Sequence, residues 1–391
     1  MNGTAGPARR SGPSLASILE SALECTTPAL PTWQWRIVRA LCSCRTRARG
    51  GHRYECLDCG ATYFVPHSCG NRHCPACQGQ AARHWLAAQL EALLPVPYFH
   101  LVFTLPHALN PVIRQNQRAL FTLLFQSVSQ TLLEFGRRRW GAQLGITAML
   151  HTWSQTLLDH YHLHCIVSGG GLSTDGSRWI NTPTNYLFAV RALSAVYRGK
   201  FCAALQQLYR DGQLQFHGQT QALARPEAFA RLLRQATRHR WVVYAKRPFG
   251  GPQQVLRYLS YYTHRVAISP RRLLTLDRQA QTVSFLWKDY AHGDRHQVMT
   301  LSLKEFLRRF CLHLLPERFV KIRHYGFLGT RQRSTQVPLA RGLLAAAGQT
   351  CPPLEPSRPA RPARVCPFCG SDQLVLIELV PPCLTPRLDS S

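Results

Sequence analysis

Two histidines, His162 and His164, are the first residues whose type and spacing suggest chemistry. They lie in the run His160–Gly171, whose apolar residues and closing glycines are typical of a β-strand that ends in a turn. Successive strand residues face opposite sides, so both imidazoles should project from one face, with Leu163 on the other. Two imidazoles on one rigid face are typical ligands of a divalent metal ion, and the alternative is a pair of structural histidines.

The preceding segment is expected to supply a third ligand. Residues 146–158 alternate well enough to predict a strand, and a turn at Asp159–His160 would pair this strand with the histidine strand as a hairpin. With the turn centred there, Gln155 lies opposite His164 and would complete the metal site. His151, four residues back on the same face, is the other candidate.

A run of tyrosines further along the chain offers nucleophiles. Tyr258 and Tyr262 are four residues apart and would share one face of a helix. Tyr261 is the neighbour of Tyr262 and therefore cannot share that face. Two phenols on one face could act in turn at a single metal site, and the alternative is an aromatic stripe packed in a core.

The cysteines predict zinc. Cys56-x-x-Cys59 and Cys74-x-x-Cys77 are thiolate pairs at the spacing of one tetrahedral structural site, and Cys69 comes just before the second pair. Four thiolates leave no open position for a substrate, so this zinc would be structural.

Other cysteines leave the number of zinc ions open. Cys42 and Cys44 are spare ligands for a second ion near the first site. A separate knuckle, Cys366-x-x-Cys369, stands near the C-terminal end of the sequence, where Cys351 and Cys383 are the candidates to complete it.

The composition is that of a basic globular protein. Its 391 residues include 47 Lys or Arg against 19 Asp or Glu, which gives a net charge of +28. Such a field favours a polyanionic partner, nucleic acid first and an acidic membrane surface second. The sequence has no run of about 18 apolar residues, so no membrane-spanning segment is predicted. Residues 1–13 lack the apolar core of a secretory signal.

The sequence predicts an α+β protein with three regions. Residues 14–95 combine N-terminal helices with the zinc-binding domain, residues 96–330 carry the histidines and tyrosines, and residues 331–391 form a basic tail with the last cysteine pair. Apolar spacing predicts a strand over 98–105 and helices over 186–210, 226–238 and 331–347.

These residues together resemble a two-tyrosine HUH rolling-circle transposase of bacterial insertion sequences, of the kind with an N-terminal zinc-binding domain. The resemblance extends from about Gly51 to Phe327 and consists of several blocks in a fixed order. The blocks are Ser68–Gln78, His151–Trp153 with Gln155, His162–His164 with the glycines that follow, Tyr244–Pro248, Tyr258–Ser269 and Lys321–Leu328. The fold it implies is an HUH endonuclease-type antiparallel sheet flanked by helices and preceded by a small zinc-binding domain.

The resemblance also implies an activity. The protein is expected to nick and rejoin single-stranded DNA at transposon ends through a 5′-phosphotyrosine, with Tyr258 and Tyr262 as the nucleophiles. The expected cofactors are Mg²⁺ or Mn²⁺, held by His162, His164 and Gln155, and a structural Zn²⁺.

Basic residues within or beside the matching blocks are expected to bind DNA: Lys246, Arg247, Arg257, His264 and Arg265. The expected partners are single-stranded transposon ends and target DNA, with no membrane, and the oligomeric state stays open. A cytoplasmic bacterial protein associated with the nucleoid is expected.

Two other functions fit parts of this pattern. A plasmid or phage replication initiator of the HUH class would have the same site, but the zinc module and the last matching block argue against it. A non-catalytic, zinc-dependent DNA-binding regulator would explain the charge and the cysteines. It would leave the paired histidines and tyrosines without a role.

Overall fold

The computed structural model describes residues 12–246, 248, 264–290, 292–350 and 364–383. Within these ranges the protein is a mixture of helices and antiparallel sheets, as predicted. The helices are Leu15–Cys25 (α1), Thr32–Cys42 (α2), Pro75–Leu90 (α3), Asn110–Gln115 (α4), Gln117–Phe135 (α5), Val190–Arg210 (α6), Pro226–Thr237 (α7), Leu303–Cys311 (α8) and Arg333–Ala346 (α9).

The strands group into three separate sheets. They are Gly51–Cys56 (β1), Thr62–Pro66 (β2), Tyr98–Thr104 (β3), Ala142–Trp153 (β4), Asp159–Ser173 (β5), Trp179–Asn181 (β6), Val243–Lys246 (β7), Leu273–Asp277 (β8), Thr282–Asp289 (β9), Arg295–Ser302 (β10), Ile322–Gly326 (β11) and Leu374–Val380 (β12).

The largest sheet positions the histidines. Its strand order is β11-β4-β5-β3-β7, with β6 added to β5, and every neighbouring pair is antiparallel. The strand β5 therefore lies inside the sheet, hydrogen-bonded to β4 on one side and to β3 on the other. Such a central strand is fixed on both edges, which suits it to hold ligands in a defined geometry.

Side chains alternate along β5, so one face of the strand packs into the core and the other, here called the chemical face, carries His162 and His164. Tyr161, Leu163 and Cys165 are buried in the main core, into which α5 and α6 also pack. His162 and His164 project from the opposite face, as the sequence predicts. Burial of the apolar face therefore fixes the direction in which the two imidazoles point.

The glycines after the histidines allow close packing of strands. A Cβ atom on Gly171 would lie 2.3 Å from the carbonyl oxygen of Gln143 on β4. A Cβ atom on Gly170 would lie 2.7 Å from the ring nitrogen of Trp179 on β6. Side chains at these positions would push the neighbouring strands away from β5.

A second sheet, in the order β10-β9-β8, packs against α8 and the N-terminal helices. Leu15, Ile18 and Leu19 of α1 share a buried cluster with Phe285 of β9 and Phe306 of α8. The N-terminal helices, predicted to belong with the zinc-binding domain, therefore also pack against elements from the C-terminal part of region 96–330.

The third sheet, in the order β12-β1-β2, joins distant parts of the chain. β12 belongs to the predicted C-terminal tail, yet it pairs antiparallel with β1 from residue 51 to residue 56. The segment of the tail at residues 364–383 is therefore built into the small sheet of the zinc-binding region through β12. Among the described residues, no helix is long and apolar enough to cross a membrane.

Candidate active site

Three histidines converge on the chemical face of the large sheet. His151 on β4 stands directly opposite His162 on β5, and His164 follows two residues later. One ring nitrogen from each of the three lies within 4.8 Å of the others, and all three side chains are buried. All three histidines lie on two neighbouring strands of a sheet, so the cluster is rigid. The structure thus brings His151, the alternative third ligand, together with the two predicted histidines.

Gln155, the residue predicted as the third ligand, lines the same cleft as the histidines but does not have the predicted strand position. The hairpin turn occupies residues 154–158, several residues before the predicted Asp159–His160 turn, so Gln155 lies in the turn and not opposite His164. The Ser154 backbone N–H donates to the Leu158 carbonyl (2.8 Å), and the Leu158 N–H donates to the Ser154 hydroxyl (3.1 Å). These local bonds close the turn at this position.

Side chains from outside the turn also hold it, because they donate hydrogen bonds to three successive backbone carbonyls of the turn. The donors come from the residue just before β8, from α8 and from the loop after α8, so the turn is fixed by residues that are distant in the sequence. The carbonyls of Gln155, Thr156 and Leu157 accept from Arg272, Arg309 and His313, respectively. This clamping explains why strand alternation alone placed the turn too late.

Hydrogen bonds orient the imidazoles of His162 and His164. Nδ1–H of His162 donates to the carbonyl of His160 (2.8 Å), which leaves Nε2 as an acceptor. Nδ1 of His164 lies 2.8 Å from Nε2 of His100 and donates to it in the tautomer that leaves its own Nε2 as an acceptor. The two Nε2 atoms then face each other at 3.2 Å. In that tautomer pair the two lone pairs repel and a shared cation would relieve the repulsion, so the arrangement fits two ligands of one metal ion.

Burial keeps these imidazoles neutral. Desolvation lowers the pKa of His162 to about 3 and that of His100 to about 4, and it lowers the pKa of His164 well below its ordinary value. The nearby Arg265 guanidinium lowers the pKa of both His162 and His164 further. Neutral imidazole is the form that binds metals, so the ligands need no deprotonation at neutral pH.

A basic and aromatic cleft opens at the three histidines. It has a volume of about 450 Å³ and is lined by Gln155, Arg265, Trp287, Lys288 and Tyr290 as well as by the histidines. The Tyr290 side chain is 63% exposed. Guanidinium and ammonium groups bind phosphates and exposed rings stack on bases, so the cleft has the chemistry of a site for single-stranded nucleic acid.

Three residues of the cleft at the end of β9, Trp287, Lys288 and Tyr290, were not predicted to be functional. Trp287, Lys288 and Tyr290 reach the cleft because the second sheet packs beside the hairpin turn. The sequence signal that could have identified them is an exposed aromatic residue next to a lysine at a strand end, and that signal is weak on its own.

The predicted DNA-binding residues have different positions. Arg265 lines the cleft, and Lys246 is exposed on β7 opposite His100. His264 is half-buried instead, because its Nδ1 lies 3.0 Å from Oε1 of Gln78 on α3 and burial lowers its pKa to about 4. The predicted nucleophiles Tyr258 and Tyr262, and the predicted DNA contacts Arg247 and Arg257, lie outside the described residues.

A cluster of four cysteines lies at the start of α3. Cys44, Cys69, Cys74 and Cys77 come together, with sulfur–sulfur distances of 3.5 to 3.7 Å along three edges. A zinc ion with four sulfur ligands at about 2.3 Å has edges of about 3.8 Å, so this cluster fits a structural zinc site. The Cys69 thiol holds the pKa of Cys74 below its usual range, which favours the thiolate that zinc requires.

Comparison with known proteins identifies the family. A family described as "Putative transposase" matches residues 145–335, and the IS91-type "Transposase zinc-binding domain" matches residues 17–105. "Putative transposase y4qJ" of Sinorhizobium fredii (strain NBRC 101917 / NGR234) is 44% identical over 384 residues, which cover 95% of this chain and 96% of that protein. The chain belongs to this family of transposases.

A second relative agrees with this assignment. The transposase for insertion sequence element IS801 of Pseudomonas savastanoi pv. phaseolicola is 29% identical, over 77% of this chain and 72% of that protein. Among solved structures, the conjugative relaxase TrwC in complex with oriT DNA, in a metal-bound form, matches 42% of this chain and 70% of that chain with 18% identity and a TM-score of 0.24. The family assignment rests on the sequence relatives.

The other two predicted zinc ligands of the transposase, Cys56 and Cys59, do not join the site to which they were assigned. Cys56 and Cys59 were assigned to one site with Cys74 and Cys77. In the structure their sulfurs lie with those of Cys366 and Cys369, in a second cluster. The pairing of β12 with β1 brings the distant pair to Cys56, whereas α3 holds Cys74 and Cys77 in the first cluster.

The signal that separates the two types of cysteine pair is a glycine. Cys56-x-x-Cys59 and Cys366-x-x-Cys369 are each followed by glycine, Gly60 and Gly370, whereas Cys77 is followed by Gln78 at the start of a helix. Cys383, one of the two predicted partners of the C-terminal pair, is exposed and lies outside both clusters, and Cys351, the other, lies outside the described residues.

Proposed function

We propose that this transposase nicks and rejoins single-stranded DNA at the ends of its element, through a 5′-phosphotyrosine on Tyr258 or Tyr262, in rolling-circle transposition. The observation that carries the proposal is the buried cluster of His151, His162 and His164, which opens into a basic and aromatic cleft. A regulator that only binds DNA has no need of three converging imidazoles in such a cleft.

The histidine cluster fits a divalent metal ion. Two ligand nitrogens face each other at 3.2 Å, and each imidazole of this pair has its Nδ1 hydrogen-bonded behind it. Three nitrogen ligands suit Mn²⁺ better than Mg²⁺, which prefers oxygen. When bound, the ion would supply Lewis-acid polarisation of the scissile phosphate.

The tyrosines supply the covalent chemistry in this proposal. The phenol oxygen attacks the phosphorus, and the bond from phosphorus to the 3′-oxygen breaks. The phenol proton passes to solvent and the leaving oxygen takes up a proton, so the products are a 5′-phosphotyrosine and a free 3′-OH. Attack by a 3′-OH on this ester reverses the step and rejoins a strand without ATP. A second tyrosine allows a second cleavage while the first ester is still present.

Residues of the cleft would hold the substrate. Arg265 lines the same cleft as the three histidines, and its guanidinium would bind a phosphate next to the scissile one. The exposed ring of Tyr290 offers a stacking surface for a base. Lys288, which is paired with Asp294 at 2.8 Å, adds positive charge at the same end of β9.

The cysteine cluster around Cys74 would serve DNA recognition indirectly. A Zn²⁺ held by Cys44, Cys69, Cys74 and Cys77 would fasten the basic segment after α2 to the first turn of α3. That segment includes Arg45, Arg47 and Arg49, which would bind transposon ends or target DNA in the cytoplasm, where the protein would associate with the nucleoid.

A strand-cleavage assay tests the proposal. The full-length protein is incubated with labelled single-stranded DNA that carries the ends of the element, in Mn²⁺ or Mg²⁺, and covalent adducts are separated on a denaturing gel. We expect an adduct with the unmodified protein. His151→Ala and His162→Ala should each reduce its initial rate at least about 100-fold, because a metal ligand is lost.

Gln155→Ala is the matched control, because Gln155 lines the same cleft but lies in the hairpin turn and not on the strands that carry the three histidines. It should form the adduct at close to the normal rate. A normal rate in His151→Ala together with a large loss in Gln155→Ala would restore Gln155 as the ligand. The absence of an adduct with every end sequence and both metals would contradict the proposal and favour a DNA-binding regulator.

A further inference from the structure

We propose that Cys56, Cys59, Cys366 and Cys369 bind a second structural Zn²⁺, which fastens the C-terminal segment of the chain to the N-terminal zinc-binding region. The zinc-binding family match covers residues 17–105, so it includes only the first pair of these ligands. The proposal is independent of the catalytic mechanism, because it concerns a site built on a different sheet.

The first observation is that the two cysteine pairs form identical knuckles. In the first, the N–H of Gly60 donates to the Cys56 carbonyl (2.8 Å) and the N–H of Cys56 donates to the Ala61 carbonyl (3.0 Å). In the second, Gly370 donates to the Cys366 carbonyl (2.9 Å) and Cys366 donates to the Ser371 carbonyl (2.7 Å).

Both glycines have positive φ angles, +65° for Gly60 and +80° for Gly370, which an L side chain rarely adopts. The backbone of each knuckle therefore turns tightly around its two sulfurs. Two facing knuckles of this type are the arrangement of a zinc ribbon, in which each contributes half of a tetrahedral site.

The second observation is the distance between the sulfurs. Sγ of Cys56 lies 3.6 Å from Sγ of Cys369, and Sγ of Cys59 lies 3.7 Å from Sγ of Cys366. A tetrahedral zinc site has sulfur–sulfur edges of about 3.8 Å, and a disulfide has a bond of about 2.05 Å. Each contact joins one knuckle to the other, so the four thiols form one set of ligands.

The third observation is that backbone pairing aligns the knuckles. Cys56 at the end of β1 is paired with Leu374 at the start of β12, and the N–H of Leu57 donates to the Gln373 carbonyl (2.9 Å). Arg53 and Glu378 form an ion pair between the same strands at 3.2 Å.

Yet β12 buries little apolar surface. Leu376, Ile377 and Leu379 are 49%, 46% and 63% exposed. A small sheet that buries so little apolar surface needs a further stabilising contribution, and coordination of a structural metal ion by the four thiols would supply it.

Thiol reactivity in the unmodified protein tests the site directly. Cys59 and Cys369 are exposed, and so are Cys25 and Cys383, which lie outside both clusters and serve as matched controls. The zinc-loaded full-length protein is treated with iodoacetamide, and modification of each cysteine is followed over time by mass spectrometry.

We expect Cys25 and Cys383 to react at least about tenfold faster than Cys59 and Cys369, because zinc coordination removes the free thiolate. Removal of zinc with a strong chelator should make all four ligands reactive. Equal rates at Cys59 and Cys25 in the zinc-loaded protein would overturn the proposal.

Zinc content gives a second test that does not depend on reactivity. Cys56→Ser/Cys59→Ser and Cys366→Ser/Cys369→Ser should each lose one zinc per chain, measured by mass spectrometry of the metal. The variant with all four substitutions should also lose one, because both pairs hold the same ion. A loss of two zinc ions per chain in the variant with all four substitutions would contradict a shared site. So would an unchanged zinc content in Cys366→Ser/Cys369→Ser. Cys383→Ser should retain all of the zinc.

Discussion

His100 offers the sharpest test of how the histidine cluster is built. It lies on β3, is 5% exposed, and places Nε2 at 2.8 Å from Nδ1 of His164. Burial lowers the pKa of His100 to about 4, so at neutral pH it is neutral and its Nε2 can accept the proton of His164. His100 is therefore expected to orient the imidazole of His164 toward the metal without touching the metal itself.

Replacement of His100 should weaken metal binding by a predictable amount. The two rings stack with their centroids 5.1 Å apart and an angle of 13°, so His100→Phe keeps the stacked ring but removes the acceptor. The loss of such an outer hydrogen bond typically weakens metal binding 10–100-fold, or about 1.4 to 2.7 kcal/mol. His100→Gln keeps an acceptor oxygen and should lose less.

The assay is a titration of the metal-free protein with Mn²⁺, in which free Mn²⁺ is followed by electron paramagnetic resonance. Thermal unfolding of each metal-free variant checks that the fold is retained. His239→Phe, a change at an exposed histidine of the loop after α7, should leave the affinity unchanged. If His100→Phe, still folded, binds Mn²⁺ as tightly as the unmodified protein, then His100 does not orient the ligand and the reasoning is wrong.

Three further outcomes follow from other contacts. Burial lowers the pKa of His313 to about 4 from 6.5, so the unfolded chain takes up a proton that the folded chain does not. As the pH falls from 6.5 to about 4, protonation of His313 in the unfolded chain should lower the free energy of unfolding by about 3 kcal/mol. His313→Gln should flatten this part of the plot of unfolding free energy against pH, measured by urea unfolding. Arg114→Ala should lower the free energy of unfolding by about 2 kcal/mol, because the 1% exposed Asp159 carboxylate loses its partner. Tyr290→Ala should weaken binding of single-stranded DNA by about tenfold in fluorescence anisotropy, because a stacking ring is removed.

Each of these outcomes has a control. The pH profile of His239→Phe should match that of the unmodified protein, and a profile of His313→Gln that is parallel to it would exclude His313 as the group. Arg114→Lys should recover part of the stability if the charge matters. Tyr290→Phe should bind DNA normally, and an equal loss in both Tyr290 variants would point to the hydroxyl instead of the ring.

Elements with a clear apolar period could be predicted well from the sequence. The predicted helix 226–238 is Pro226–Thr237 in the structure, and the predicted strand 98–105 is Tyr98–Thr104. The predicted common face of His162 and His164 is also present, because the apolar residues between and beside them are buried in the main core. These features depend on local alternation, which the sequence displays directly.

The hairpin register could not be predicted, because the turn depends on contacts with distant residues. Leu157 adopts a φ of +61°, which is uncommon for leucine, and its carbonyl accepts from His313, far along the chain. Polar Asp159 looked like a turn residue, but its carboxylate is buried in an ion pair with Arg114. This error placed Gln155 on the strand, opposite His164, in the prediction.

The grouping of cysteines failed for a related reason. Spacing identifies a thiolate pair, but it does not show which pairs meet when the partners are 307 residues apart, as Cys59 and Cys366 are. The glycine after each matching pair was the available clue. This glycine indicates the tight backbone turn of the knuckle. Cys56 and Cys59 lie with the other pair that has such a turn, Cys366 and Cys369, and not with the pair that is nearer in sequence, Cys74 and Cys77.

The central claim, that a tyrosine of this transposase attacks DNA to leave a 5′-phosphotyrosine, is tested most directly by the chemistry of the adduct. Single-stranded DNA spanning a transposon end is labelled with different fluorophores on the two sides of the cleavage site, and the protein-bound peptide is sequenced by mass spectrometry. We expect that the 3′-side fragment stays bound through Tyr258 or Tyr262, that the 5′-side fragment is released with an extendable 3′-OH, and that Tyr258→Phe/Tyr262→Phe forms no adduct. Retention of the 5′-side fragment, or an undiminished adduct in that double variant, would contradict it.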